Sequence, residues 1–174
     1  MDPQQAKFLT DQLTGLWESE FKATCDVLSA VGKGNRDYRP DPKSRSSWEL
    51  AVHMATADVW FCDSIIAGKF DWNPDPGFAK QLEGMFATVD DLVAYYKKEY
   101  PAKLAALRAH APEKLAATVD FFGMMQMPAV NFIGFANNHS IHHRGQLASH
   151  LRAAGSKVPA IYGPSADTAM ETPN

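Results

Sequence analysis

Apolar side chains recur at steps of three and four through four long stretches of this chain. That period restricts it to a helical architecture. In residues 3–31 the repeat runs through Phe8, Leu13, Leu16, Trp17, Phe21, Thr24, Leu28 and Val31. Pro3 suits the first turn, and Gly32 and Gly34 mark the stop. Ser46 followed by Glu49 reads as a capping box and predicts a second helix from about Trp48 to Ala67, closed by Gly68. Thr88 and Asp91 offer another cap, for a third helix from about Val89 to His110. Pro101 inside it predicts a kink or break near Tyr100. Pro128 opens the last helix, which reaches Ala154 ahead of Gly155.

The stretches between these helices carry residues that stop them. Arg39-Pro40-Asp41-Pro42 breaks residues 35–45, and Pro74, Pro76 and Gly77 make residues 69–87 a long irregular connection. Residues 111–127 form a second one, in which residues 117–122 can be briefly extended. The tail has Pro159, Gly163 and Pro164 and no helical period. No convincing strand pattern interrupts this order, so the expected fold is all-α, a four-helix bundle. A length of 174 residues suits one domain, residues 1–174, with one buried core. The two long connections permit a topology other than simple up-and-down.

Charge and composition exclude several partners. Net charge is −3 with both signs interspersed and no basic block, so no nucleic acid is expected. No run approaches ~18 uninterrupted apolar residues, so no membrane span is expected. The segment Met1-Asp2-Pro3-Gln4-Gln5 has neither the basic nor the apolar part of a signal peptide. Cys25 and Cys62 lie far apart in helical patterns, which reads as two buried thiols in a reducing compartment. A soluble cytoplasmic protein is expected.

Chemistry concentrates in the histidines. Four of the six fall within one short window: His139, His142, His143 and His150. Residues i and i+4 of a helix project the same way, so His139 and His143 can approach one ion at the ~2.0–2.1 Å that zinc needs. His142 points about 100° from His143. A His139–His142 pair remains an alternative, while His150 stands two turns beyond His143. A third ligand must come from another helix. His53 is the candidate there, because it follows the apolar pattern of Trp48, Val52, Thr56, Val59 and Trp60. A lone histidine on an apolar face is usually a hydrogen-bonded core residue, and an i,i+4 pair also arises by chance. The two together carry more than either. Three histidines leave a coordination position open, where a metal lowers the pKa of a bound water or thiol. Imidazole accepts zinc, nickel, copper or iron(II), so ligand type alone does not choose among them.

The segment Trp48–Asp58 around His53, the run Asn138–Leu147 and the tail Lys157–Asp167 resemble the DinB family, including its DinB/YfiT-like metalloenzymes. The resemblance covers nearly the whole chain, and its most specific part is His139-x₃-His143-Arg144-Gly145-Gln146. It implies a four-helix bundle of up-down-down-up topology, often dimeric. It also implies one divalent transition metal, with zinc or nickel foremost, held by His53, His139 and His143. All three motif positions are present. Relatives include thiol-dependent S-transferases and a maleylpyruvate isomerase, so the resemblance implies a low-molecular-weight thiol as cosubstrate for a small-molecule substrate. It supports the site more than the reaction.

Residues near the histidines divide between two roles. Gln146 is a candidate for supporting His143 or touching substrate, against a plain helix-interface polar residue. Arg144 is a candidate for an anionic group on a thiol, against an ordinary ion pair. Thr56 and Trp60 are candidates for the pocket wall, against core packing. Asp58 and Asp63 are weaker candidates for orienting a histidine. Three functions compete: an S-transferase, a non-catalytic metal-binding stress-response protein, and a hydrolase. No clear general base favours the last.

Overall fold

The computed structural model describes residues 1–71, 73–75 and 77–169. The part of the sequence reading that falls on Pro76 lies outside the described residues. The chain is mostly helical, with α1 (Pro3–Ser19), α2 (Phe21–Ser29), α3 (Ser47–Ala67), α4 (Phe78–Gly84), α5 (Val89–Ala109), α6 (Pro112–Ala116) and α7 (Asn131–Ala153). Two short strands, β1 (Thr118–Phe121) and β2 (Met125–Pro128), lie between α6 and α7.

Local chemistry sets most of these boundaries as expected. Ser46 and Glu49 form a complete capping box at the start of α3, and Thr88 and Asp91 form one at the start of α5. Each such cap contributes about 1 kcal/mol. Gly68 at φ +69° and Gly155 at φ +75° take the left-handed conformation that ends a helix.

Five expectations need correction. Residues 69–87, expected to be an irregular connection throughout, contain the seven-residue helix α4 directly after Gly77. The single helix expected over 3–31 is two, because Glu20 donates its N–H to the carbonyl of Trp17, tightening the chain to an i→i−3 turn between α1 and α2. Phe8 and Leu16, expected in the core, are 63% and 60% exposed. The buried stripe of α1 is Ala6, Thr10, Thr14 and Trp17. The two threonine hydroxyls donate to the carbonyls of Ala6 and Thr10, so burying them leaves no orphaned donor. Of the kink or break expected near Tyr100, the break does not occur: α5 runs through Pro101. The carbonyl that loses its partner belongs to the exposed Lys97, where water can replace it. Pro128 does not open α7. It ends β2, paired opposite Thr118 in an antiparallel hairpin where its missing N–H is tolerated. The strands are joined by three residues, 122–124, with Phe122 and Gly123 both at positive φ (55° and 72°) and the Met124 N–H donated to the Phe121 carbonyl. The extended expectation for 117–122 therefore coincides with β1.

Helix α3 buries residues on every side and packs most extensively on α7 and α5. By length and composition alone it could cross a membrane, but 67% of its most apolar window is buried within this fold, as in a core helix. Cys25 and Cys62 are both buried and free. The α3–α7 contact is what brings His53 to the C-terminal histidines.

Candidate metal centre

His53 extends from the second turn of α3, and His139 and His143 extend one turn apart from α7. One nitrogen from each of the three lies within 4.8 Å of the others. The ring centroids are 5.1 Å apart for His53–His139, 4.7 Å for His53–His143 and 4.4 Å for His139–His143. His53 Nε2 and His143 Nε2 are 3.2 Å apart. Two nitrogens bound to one tetrahedral zinc at ~2.0–2.1 Å are themselves about 3.3 Å apart. The spacing therefore already matches shared coordination. His139 Nδ1 is buried with no hydrogen-bond partner among the described residues. The donor set fits a divalent transition metal, being all imidazole and half-buried.

Electrostatics keep these rings neutral, the form that binds metal. Burial pushes His53 down to about 3, with the nearby Arg45, His143 and His139 adding to it. Burial also lowers His139 to about 4, followed by the charge of His143 and then Arg45. His143 is lowered by burial as well, against the opposing pull of Gln146.

Gln146 Oε1 lies 2.7 Å from His143 Nδ1, so it can accept that N–H and leave Nε2 facing His53. Phe61 packs its ring 5.2 Å from His139. Behind it, Phe70, Phe121 and Phe135 continue an aromatic wall. Phe61 was not anticipated from the sequence, although it is one residue beyond Trp60 in the same apolar run.

The remaining candidates lie elsewhere. His142 is exposed and outside the three-histidine group, though its ring is 5.0 Å from that of His143. Thr56 turns its hydroxyl back to the carbonyl of Val52 at 2.8 Å. Trp60 packs on Phe61 and Phe70. Arg144 is 1% exposed, and its guanidinium is taken up by Glu20, Thr24 and Tyr162. Asp63 pairs with Lys103 at 2.6 Å. Asp58 accepts from Tyr96 and Ser140 rather than from a histidine.

Beside the histidines opens a cleft of about 790 Å³. His143, Gln146, Ser149 and His150 of α7 form one wall, and Lys43 and Arg45 from the loop before α3 form the other. That loop is anchored at several points. Arg36 stacks 3.7 Å over the Trp48 ring, Ser47 N–H donates to Tyr38, and Arg39 pairs with Glu49 at 2.7 Å.

Comparison with known proteins places the chain in a family. The chain is 42% identical over 158 residues to the uncharacterized protein YrdA of Bacillus subtilis (strain 168), covering 89% of each. It is 26% identical to YjoA of the same organism, covering 88% of this chain and 96% of YjoA. The crystal structure of YjoA, a DinB-like protein, superposes with a TM-score of 0.63 at 21% identity, over 86% of this chain and 97% of that one. A DinB-like protein from Bacillus cereus superposes with a TM-score of 0.67 at 25% identity, over 87% and 97%. The DinB family model matches residues 4–173, and the chain belongs to the DinB family.

Proposed function

We propose that the chain is a metal-dependent S-transferase that joins a low-molecular-weight thiol to an electrophilic small molecule. The observation that carries this reading is a group of three imidazole nitrogens, all within 4.8 Å, that contains no carboxylate or thiolate. Three neutral ligands leave an open position and a net positive ion, unlike the closed four-ligand sets of structural zinc. A zinc or nickel ion held there would lower the pKa of a coordinated thiol and favour the thiolate. The chain supplies the rest. His53, His139 and His143 present lone pairs at neutral pH. Gln146 fixes the tautomer of His143. The Phe61 wall keeps one side dry, and the cleft admits substrate from the other. In the reaction the sulfur forms a bond to the electrophilic carbon, the leaving group departs with its electron pair, and the thiol proton passes to solvent.

The same reading takes residues 1–174 as one cytoplasmic domain. Its long helices, α1–α2, α3, α5 and α7, form a four-helix bundle of up-down-down-up topology. The packing of α3 on both α5 and α7, and the two buried free thiols, support it. A homodimer belongs to the proposal too, and the exposed Phe8 and Leu16 of α1 are the surface on which to test it.

The test is elemental analysis of the purified protein beside a His53→Ala/His143→Ala variant, followed by thiol-dependent loss of an electrophile such as 1-chloro-2,4-dinitrobenzene. Metal in the first protein alone, with turnover that needs both metal and thiol, is the expected result. Equal metal in both removes the site. Metal without turnover across a panel of thiols and electrophiles leaves a binding protein. Ester or amide cleavage without added thiol makes it a hydrolase.

A further inference from the structure

We propose that the cleft beside the three histidines is an anion subsite, in which Lys43 and Arg45 hold a carboxylate of the small molecule whose other end reaches the histidine centre. The proposal deepens the functional reading above and rests on it for the position of the reacting end. Three observations carry it.

The first is juxtaposition. Lys43, Arg45, His143 and Gln146 line one cleft, so a ligand that extends from His143 across it can reach both cations. Its volume of about 790 Å³ lies in the range of small-molecule sites. The second is the lack of a counter-charge. Among the described residues no acidic side chain lines the cleft, and neither cation makes an ion pair. Glu49, whose carboxylate senses Arg45, is already held by Arg39. On a chain of net charge −3 this is a local excess of positive charge directed at a ligand-sized space. The third is anchoring. Asn35 ties the start of the loop to the carbonyl of Ala30 and to Ser156, the Arg36–Trp48 stack and the Ser47–Tyr38 bond hold its middle, and Arg39 and the Ser46 cap fix its end. The two cations are thus displayed from a braced segment, with less entropy to lose on binding than a free loop has.

A guanidinium and an ammonium lining one cleft favour a carboxylate through charge-assisted hydrogen bonds. Gln146 and Ser149 add neutral polar groups to the same cleft. A neutral ligand of equal size would leave both cations unpartnered, so the subsite selects acids over neutral analogues.

The test uses cobalt(II)-loaded protein and two thiols of similar size, 3-mercaptopropionate and 2-mercaptoethanol, with thiolate-to-cobalt absorption reporting binding. The expected result is at least tenfold tighter binding of the acid by the unmodified protein. A Lys43→Gln/Arg45→Gln variant should lose that preference while binding 2-mercaptoethanol as before. Both substitutions are at exposed positions, and circular dichroism verifies the fold. The same preference in both proteins, or none in either, overturns the proposal. A second arm needs no metal. Succinate titrated into the metal-free protein should shift the NMR signals of Arg45 and Gln146, and not those of the double variant. If cobalt fails to bind while succinate still shifts those signals, the metal reading falls and the anion subsite stands. If succinate shifts nothing, the subsite falls whatever the metal does.

Discussion

The Ser140 hydroxyl donates to Asp58 Oδ2 across 3.0 Å in the fully buried seam between α3 and α7, one residue along from His139. Tyr96 of α5 donates to the same oxygen at 2.9 Å, so one carboxyl ties three helices together. The other oxygen, Oδ1, is buried without a partner among the described residues. Burial dominates, and pushes the carboxyl up from 3.8 to about 7 despite the two donors and the distant charge of Arg144.

That shift fixes a pH dependence. Below about pH 4 the folded and unfolded chains both keep the Asp58 proton. Between 3.8 and about 7 the unfolded chain releases it first, so stability falls as pH rises and levels off above that. At about 1.4 kcal/mol per unit the loss is on the order of 4 kcal/mol. His53 and His139 run the opposite way. Their folded values of about 3 and about 4 lie below the usual 6.5, so the unfolded chain takes up protons first on acidification. Their stabilisation is complete above 6.5 and is lost as pH falls toward about 4. In metal-free protein the two slopes offset each other. Asp58→Asn should remove one of them, giving higher stability at about pH 8 and a steeper loss toward about pH 5. Urea unfolding midpoints across that range measure both effects. An unchanged profile would mean that Asp58 is not neutral in the folded state.

Gln146 acts on the centre through His143. Its carbonyl oxygen, 2.7 Å from Nδ1, can accept the Nδ1 proton, and in that tautomer the Nε2 lone pair faces His53. Gln146→Leu keeps the side-chain bulk and removes that acceptor. Metal affinity should fall about 10–100-fold, the usual cost of losing such a support. Gln146→Glu should recover most of it. Competition with a chromogenic chelator gives the constants. Equal affinities in all three proteins would make Gln146 an ordinary exposed residue.

Metal should also stabilise the fold, because the three ligands come together only when α3 and α7 are packed. A ligand at ~100 times its dissociation constant adds about 2.7 kcal/mol to a state that alone can bind it. The melting temperature should rise with added zinc and drop with chelator. It should respond to neither in His53→Ala, although Cys25 and Cys62 remain available to the unfolded chain in both proteins. Zinc-dependent stabilisation that persists in His53→Ala would place the binding elsewhere.

The histidine geometry was legible in the sequence for a simple reason. Helical spacing alone aligns His139 with His143, and the apolar register of α3 points His53 inward. Caps at Ser46, Thr88 and Gly68 were equally plain, because each depends on residues within one turn. What escaped depends on distant partners. The face of α1 was misassigned because Thr10 and Thr14 read as polar, yet their hydroxyls are satisfied inside their own helix. The hairpin was hidden by a turn that puts Phe122, rather than asparagine or glycine, at positive φ. The pairing of Asp58 with Ser140 needs the crossing of α3 on α7, and no local pattern contains that crossing. The position of Lys43 and Arg45 beside His143 likewise depends on the path of the loop, which Asn35, Arg36 and Arg39 set through contacts with the C-cap of α2, with α3 and with the C-terminal tail.

Arg144 gives a sharp test of structure against function, because it adjoins His143 in sequence while its guanidinium serves the opposite contact. It donates to the Glu20 carboxylate, to the Glu20 carbonyl at 3.1 Å, to Thr24 at 3.1 Å and to the Tyr162 hydroxyl at 2.6 Å. Tyr162 in turn donates to Glu20 at 2.9 Å, closing a network over the α1–α2 turn. Arg144→Met would fill the space but leave the Glu20 carboxylate, only 15% exposed, without its charge partner. Breaking one side of such a pair costs about 3–5 kcal/mol. Arg144→Lys keeps the charge but cannot reach four acceptors with one ammonium, so its loss should be intermediate. Metal content per folded molecule should be the same in all three proteins, since none of these contacts involves the histidines. Stability read by urea unfolding in chelator, beside elemental analysis, separates the two roles. Unchanged stability with diminished metal would move Arg144 from the bracing of the α1–α2 turn to the histidine centre.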